Sequence, residues 1–304
     1  MTLQRVNQNY RKISLFDYIN IIFMLFVAFA TLYPFYYCFV ISFNDGIDAL
    51  IPGIYFWPRK FTLENYRFVF STKLLLTAFR NSVLRTVIGT ILHVIITSAA
   101  AYALSKRDLF GRKAYMILFI ITMYFSGGLI PTYLVFKKIG LTDNFLVYLL
   151  PLAWSYFNAL LFMAYYDSIP DSLEESALID GANQIYIFIR IIFPVSMPII
   201  ATIALFIGVN QWNSWMDTMI YTSNPQLETL QNLLIKIIKE AEYMIKIMQE
   251  AMQKGGGGSV GSMPVTPFTI RVATMIVTTF PIVIAYPFLQ KYFIKGIMLG
   301  AVKA

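Results

Sequence analysis

The chain has 304 residues, 58% of them hydrophobic, 16% aromatic and only 13% charged, with a formal net charge of +8. A soluble domain carries about 25% charged residues, so the missing charge marks surface that faces lipid and leaves too little polar sequence for a second globular domain. The basic excess sits at the ends of apolar segments rather than in one patch, which argues against nucleic acid as a partner; the single cysteine, Cys38, excludes an intrachain disulfide framework.

Six segments approach the ~20 apolar residues that a membrane helix needs. They are roughly 19–41, 76–104, 114–135, 145–166, 198–220 and 268–293. The expected fold is therefore all-α: a polytopic membrane protein with six transmembrane helices in one domain, 1–304. Arg5, Arg11 and Lys12 precede the first span. That span is too long for a signal-peptide core and no small-x-small cleavage site follows it, so it reads as retained. Lys106, Arg107, Arg112 and Lys113 crowd the loop between spans two and three, and Lys291, Lys295 and Lys303 follow span six. The positive-inside rule puts all of these in the cytosol. Both termini and the loop at about 167–197 are then cytosolic as well.

The outer loop after span one holds Pro52 and the run Trp57-Pro58 to Tyr66, and span two opens on Asn81-Ser82. Breakers punctuate the spans: Pro34 in the first, Ser126-Gly127-Gly128 and Pro131 in the third, Pro281 and Pro287 in the sixth. Proline removes an intrahelical hydrogen bond, and such breaks survive in lipid only where neighbouring protein or water satisfies the freed groups. They fit either kinked packing or gating hinges. Arg85 and His93 lie deep in span two, whereas Arg80 and Arg271 sit near outer ends and can snorkel. His93 has no Cys or carboxylate at ligand spacing, which favours a hydrogen-bonded packing role over a metal.

The cytosolic loop contains Glu174, Glu175, Ser176, Ala177, Asp180 and Gly181, followed by Ile191 and Pro194. Ser172 and Glu175 fit the S-x-x-E capping box that starts a helix, and the acids suit the dipole of its first turn. Gly181 is placed to end that helix in a left-handed C-cap. A second short helix is expected from Asn183 to Ile192. A capped helix joined rigidly to a span can transmit a push that a slack loop would absorb.

Span five carries Asn210-Gln211-Trp212-Asn213-Ser214-Trp215-Met216-Asp217. In one continuous helix Asn210, Asn213 and Asp217 share a face, with Asn210 about 18 Å from Pro198 at 1.5 Å per residue. Polar groups at that depth usually face a bundle interior or a wet cavity. Aromatic faces beside amides and a carboxylate suit sugars, because rings cover C–H faces while polar groups take hydroxyls. Asn210, Gln211, Trp212, Asn213, Trp215 and Asp217 are the candidates for lining a pathway; interhelical hydrogen bonding is the alternative. Residues 230–252 place Leu234, Ile237, Ile238, Ala241, Ile245, Met248 and Met252 at helical spacing. With Lys236, Lys239, Glu240, Lys246 and Glu250 among them, this is an extracellular amphipathic insert, about 226–262, expected to lie on the bilayer or against a partner. Gly255 to Ser259 reads as a flexible linker.

There is no G-x-x-x-x-G-K-[ST], G-x-S-x-G or H-E-x-x-H, and one His with one Cys supports neither zinc nor nucleophilic catalysis. The spaced set Glu175, Ala177, Gly181, Ile191, Pro194 resembles the EAA loop of ABC importer permeases, with Ser176 in place of an Ala and Phe193 in place of a Leu. The Trp57–Tyr66 run is similar to the outer loop of carbohydrate-uptake permeases, and the ending from Tyr286 to Lys303 is much like that of the complex-oligosaccharide subgroup. By these residues the chain resembles the MalG-like permeases over essentially its whole length. The resemblance implies a type I ABC importer permease fold, a MalF-like partner permease, a homodimeric ABC ATPase that binds the ATP and Mg, and an extracellular sugar-binding protein. It also implies alternating-access import of oligosaccharides, with coupling at Glu174 to Gly181 and no catalytic residue or cofactor in this chain. A permease for another solute is the alternative; a non-transport intramembrane protein is a more distant one.

Overall fold

Ser14 opens the first helix with a reciprocal cap, its hydroxyl accepting from the Asp17 amide while the Asp17 carboxylate accepts from the Ser14 amide. From there α1 (Leu15–Ser42) runs through Pro34 without a break. The structure is a computed structural model that describes residues 14–71, 73–253 and 265–300. Arg5, Arg11, Lys12, the Gly255–Ser259 stretch and Lys303 lie outside the described residues. After α1 come α2 (Glu64–Ser71), α3 (Lys73–Ser105), α4 (Arg112–Tyr124), α5 (Leu129–Lys138), α6 (Tyr156–Tyr166) and α7 (Ser172–Ile179). Then α8 (Gln184–Ile187), a π-helical turn (Phe188–Ile192) and α9 (Phe193–Val195) form one rod, followed by α10 (Met197–Asn213) and α11 (Met216–Tyr221). The last two are α12 (Leu230–Gln253) and α13 (Pro267–Gly300). No strand occurs among the described residues, only an isolated pairing of Asn44 with Phe61.

The helices fall where the apolar segments do, but they are not six uninterrupted rods. Among the described residues three helices, α1, α3 and α13, are long and apolar enough to cross a membrane unaided, and by the same length and composition there are up to five candidates if each bent pair is one span. The proline sites expected as breaks in α1 and α13 are passed through as helix. The real break is at Ser126-Gly127-Gly128, where Gly128 takes φ +82° and α4 and α5 diverge by 114°. A residue with a side chain pays a steric penalty at such a φ, whereas glycine does not. Segment 145–166 also differs from a single rod. Asn144 caps a 3-10 turn at Phe145–Tyr148, and Ser155 caps the eleven-residue α6, about 16 Å long at 1.5 Å per residue. These caps stop the helix where hydropathy alone carries it on.

The helices assemble around α3, which packs most extensively on α10 and α6. Its C-terminal half joins an apolar core with Tyr156, Phe162, Tyr166, Ile192 and Ile203. At mid-length His93 Nδ1 meets the Leu152 carbonyl at 2.6 Å and its Nε2 meets the Asn158 amide at 2.9 Å, the hydrogen-bonded packing role expected of it. Toward the outer end Asn81 donates to the Gln226 and Glu228 carbonyls, and Ser82 accepts from the Leu230 amide. These bonds dock the start of α12 on this chain, with Leu230 and Leu233 buried beside Leu75, Ala78 and Trp212. The insert's first turns are thus part of the fold rather than lying free on the bilayer. The two leucines that hold them precede the stripe on which the amphipathic reading rested.

Helices α3 and α10 cross at Gly89, where an added Cβ would stand 2.4 Å from Gln211 Nε2, and Gln211 is itself fully buried and held at both ends. Gly89→Ala is expected to destabilise the fold by about 1–3 kcal/mol, as overpacking does. Gly208→Ala, whose Cβ would meet only Thr90 Oγ1 at 3.5 Å, should be neutral or slightly stabilising. Thermal unfolding of the two purified variants side by side checks the contrast.

Candidate functional site

The loop at 167–197 contains a short, sharply bounded helix, α7. Its N-terminus differs from the expected capping box: Asp171 occupies the cap with helical φ −57° and makes no side-chain cap bond, and Ser172 is already helical. Ser172 contributes its carbonyl instead, accepting from Ser176 Oγ. The C-terminus is as expected, with Gly181 at φ +84°. The Gly181 amide bonds the Leu178 carbonyl at 3.0 Å and the Ala182 amide bonds the Ala177 carbonyl at 2.9 Å, the paired bonds of a Schellman motif. Two residues on, Asn183 accepts from the Tyr186 amide at 2.8 Å and starts the rod Gln184–Val195. This rod turns by 80° into α10. Only the four residues Asp180 to Asn183 separate α7 from the rod that leads into α10.

Of the loop residues singled out, Glu175, Ser176, Asp180 and Gly181 are exposed and Ala177 packs on the apolar core. Ile179, 85% exposed, sits beside them. Glu174 turns inward to an ion pair with Lys106, just past the end of α3. Lys106 also stacks over the Tyr102 ring at 4.2 Å, and the Tyr102 hydroxyl donates to Gln184 Oε1 at 2.8 Å. Burial works against the Lys106 charge, but hydrogen bonds to Glu174 and Tyr102 outweigh it and hold its pKa above the usual lysine value. The end of α3 is thus tied to both α7 and α8.

The polar run of segment five divides in two. Helix α10 stops at Asn213, Ser214 is extended with ψ 128°, and α11 starts at Met216. Asp217 therefore does not continue the face of Asn210 and Asn213, because the helical period is broken between them. Both its carboxylate oxygens take the Arg85 guanidinium, with Oδ1 3.1 Å from Nη1. Arg85 is fully buried, also donates to Gln211 Oε1 at 3.1 Å, and lies 4.6 Å from the Tyr148 ring centre. Gln211 passes the network on to the Tyr148 carbonyl at 3.0 Å, and Trp212 Nε1 donates to the Thr278 carbonyl at 3.1 Å. Gln211, Trp212 and Asp217 are therefore committed to contacts within the chain. Asn210 and Asn213 are exposed and Trp215 is half-buried; Asn213 Oδ1 accepts a long bond of 3.5 Å from Gln231 Nε2.

Two threonines escaped the sequence reading. The Thr86 and Thr90 hydroxyls are buried without a partner, and both line a cleft of about 710 Å³ bounded by α3, α10 and α13 beside Trp212. Their i, i+4 spacing in an apolar helix was the available signal. Arg85 was noted for its depth, but its pairing with Asp217, 132 residues away, has no local signature.

No family model matches the chain. A permease protein of a polygalacturonan/rhamnogalacturonan transport system from Bacillus subtilis (strain 168), YtcP, is 40% identical over 292 residues, covering 96% of this chain and 99% of that protein. Protein LplC of the same strain is 37% identical over 288 residues, covering 95% of each. Among solved structures, the crystal structure of a bacterial ABC transporter involved in the import of the acidic polysaccharide alginate superposes with a TM-score of 0.81 at 29% identity, covering 91% of this chain and 96% of that one.

The tie between α7 and α3 makes a measurable prediction. A largely shielded ion pair is worth roughly 0.5–1 kcal/mol, so Lys106→Glu should speed hydrogen exchange of the α7 amides about two- to fivefold. The charge swap Lys106→Glu with Glu174→Lys should restore most of the protection, measured by hydrogen-exchange mass spectrometry on the purified protein.

Proposed function

The chain belongs to the permease subunits of carbohydrate-importing ABC transporters, and from that membership we propose that it forms one half of a pathway carrying oligosaccharides into the cytosol by alternating access. The observation that carries the reading is the rigid joint of α7, Gly181 and the rod leading into α10, set at the EAA spacing. In such a complex a separate ATPase dimer binds ATP and Mg, and this chain contributes no catalytic group. The exposed face around Glu175, Ser176, Asp180, Gly181 and Ile179 is the surface offered to that ATPase. Glu174 and Ala177 secure the helix from behind.

Closure of the ATPase dimer displaces α7. Because the Schellman cap and the Lys106–Glu174 pair leave little compliance, α10 and α3 move with it as rigid bodies about the partner permease. The Lys106–Glu174 contact brings the 106–113 basic loop and the coupling loop to one side of the chain, which supports cytosolic placement of both. A MalF-like partner completes the pathway, and an extracellular binding protein delivers the sugar.

Asn210, Asn213 and Trp215 are the pathway contacts we assign, with the Thr86–Thr90 cleft next to them. Gln211, Trp212 and Asp217 hold these contacts in place. The named substrates of YtcP and of the alginate importer both carry uronates, which makes acidic oligosaccharides the first class to test. Transport should be measured in liposomes with partner permease, ATPase and binding protein. Oligogalacturonates are expected to be taken up in an ATP-dependent manner and neutral maltooligosaccharides poorly. Uptake of a small non-sugar solute alone would replace the sugar reading. One lost hydrogen bond costs about 0.5–1.5 kcal/mol, so Asn213→Ala should lower uptake per assembled complex roughly two- to tenfold with assembly intact. Full normalised uptake by both Asn210→Ala and Asn213→Ala would remove the pathway assignment.

A further inference from the structure

We propose that the outer loop from Ala49 to Pro58 is a membrane-interface anchor, seated at the boundary between headgroups and acyl chains of the outer leaflet. The inference goes beyond transport and rests only on the membrane placement of α1. Ten residues in a row here carry no charge, Ala-Leu-Ile-Pro-Gly-Ile-Tyr-Phe-Trp-Pro. A loop of that composition facing water would be costly, yet Trp57 is 78% exposed, Tyr55 60% and Phe56 53%.

The loop does not project away from the bundle. It folds back along α1, with the Phe56 carbonyl accepting from Tyr36 Oη at 2.7 Å and the Phe56 ring edge-on to Tyr33 at 5.9 Å. Ile54 is the peg, buried with Val40, Ile41 and Val272. The 28 residues of α1 measure about 42 Å, so roughly 6 Å at each end exceed a hydrocarbon core of ~30 Å. Tyr36 and Tyr33 stand about 9 and 13 Å below the outer end at Ser42. Phe56 therefore lies about 3–7 Å inside the apolar boundary, within the ~5–10 Å typical of interfacial elements.

Irregular backbone enters that zone only if its polar groups are satisfied by protein. Three carbonyls of this segment, those of Ile51, Pro52 and Phe56, are, as is that of Asp48 just before it. Arg59 donates to the Asp48, Ile51 and Pro52 carbonyls at 2.9, 2.7 and 3.2 Å while its Nε binds the Asp48 carboxylate, and Tyr36 serves Phe56. The aromatic trio followed by the exposed Lys60 has the order of an interfacial segment, aromatic rings at the boundary and a cation at the headgroups. The rest of α1 below it is exposed along its apolar length in this chain, so the loop continues one apolar surface.

Collision accessibility tests the assignment. The lone cysteine permits Cys38→Ser with Trp57→Cys, spin-labelled in the assembled transporter in phosphatidylcholine/phosphatidylglycerol nanodiscs. Relaxation by oxygen should exceed that by a water-soluble nickel chelate severalfold at position 57, with the reverse at Asn224, an exposed residue of the outer loop before α12. Nickel accessibility at position 57 equal to that at Asn224 would overturn the proposal in favour of water. Shielding from both reagents would overturn it in favour of a protein partner. Should the Trp57 variant not assemble, Tyr55→Cys decides in the same way. Unchanged uptake by the labelled complex keeps a failure here distinct from a failure of the transport reading.

Discussion

A guanidinium buried away from water governs how the outer half of this molecule is put together. Arg85 has no exposed surface, and its charge is balanced by the Asp217 carboxylate, the Gln211 amide oxygen and the Tyr148 ring. Removing one partner of such a pair typically costs about 3–5 kcal/mol, because the other charge is left stranded. The pair therefore does more than add stability: it dictates that α3, the end of α10, α11 and the turn at Phe145–Tyr148 meet in one arrangement. The break at Ser214 is part of the same solution, since a continuous helix would carry Asp217 away from Arg85 and onto the Asn210 face.

Helix α3 repeats this logic along its length. Asn81 and Ser82 fix the start of α12, Arg85 the α10–α11 break, His93 the turn before α6, and Tyr102 with the adjoining Lys106 the coupling loop. Apolar packing against lipid-like surroundings has little directional preference, whereas each of these bonds specifies a register. A helix so fastened moves as a unit, which suits a part that must link events at the ATPase to the far side of the membrane.

The sequence made much of this legible where the physics is local. Hydropathy located the apolar helices, a glycine at the right offset announced the left-handed cap at Gly181, and the isolation of His93 pointed to packing. Reading failed where distant residues decide. The capping box of Ser172 and Glu175 matched in letters, yet the chain enters α7 one residue earlier in helical geometry, at Asp171, with no side-chain cap bond. The shared face of Asn210 and Asp217 assumed an unbroken helix, and only the pull of Arg85 reveals why it ends. Hydropathy also ran through 145–166 without seeing that Asn144 and Ser155 divide it. Which of Asn210 to Asp217 serve the inside of the chain and which look out depends on contacts that span up to 132 positions.

The π-helical turn at Phe188–Ile192 has a consequence for how this lineage tolerates length changes. It lies between the cap at Gly181 and the bend into α10, holding one more residue per turn than an α-helix would. Deleting one residue within that turn would restore ordinary α-helix with little rotation of the flanks, whereas deleting one from the α-helical stretch beside it would swing one side by about 100° relative to the other. The coupling helix would then keep its sequence, its cap and its exposure, yet address its partner from a different azimuth. Spacing in this loop is thus a rotational coordinate as much as a linear one: a gap of one residue at the π turn leaves the docking face nearly where it was, and a gap outside it re-aims that face.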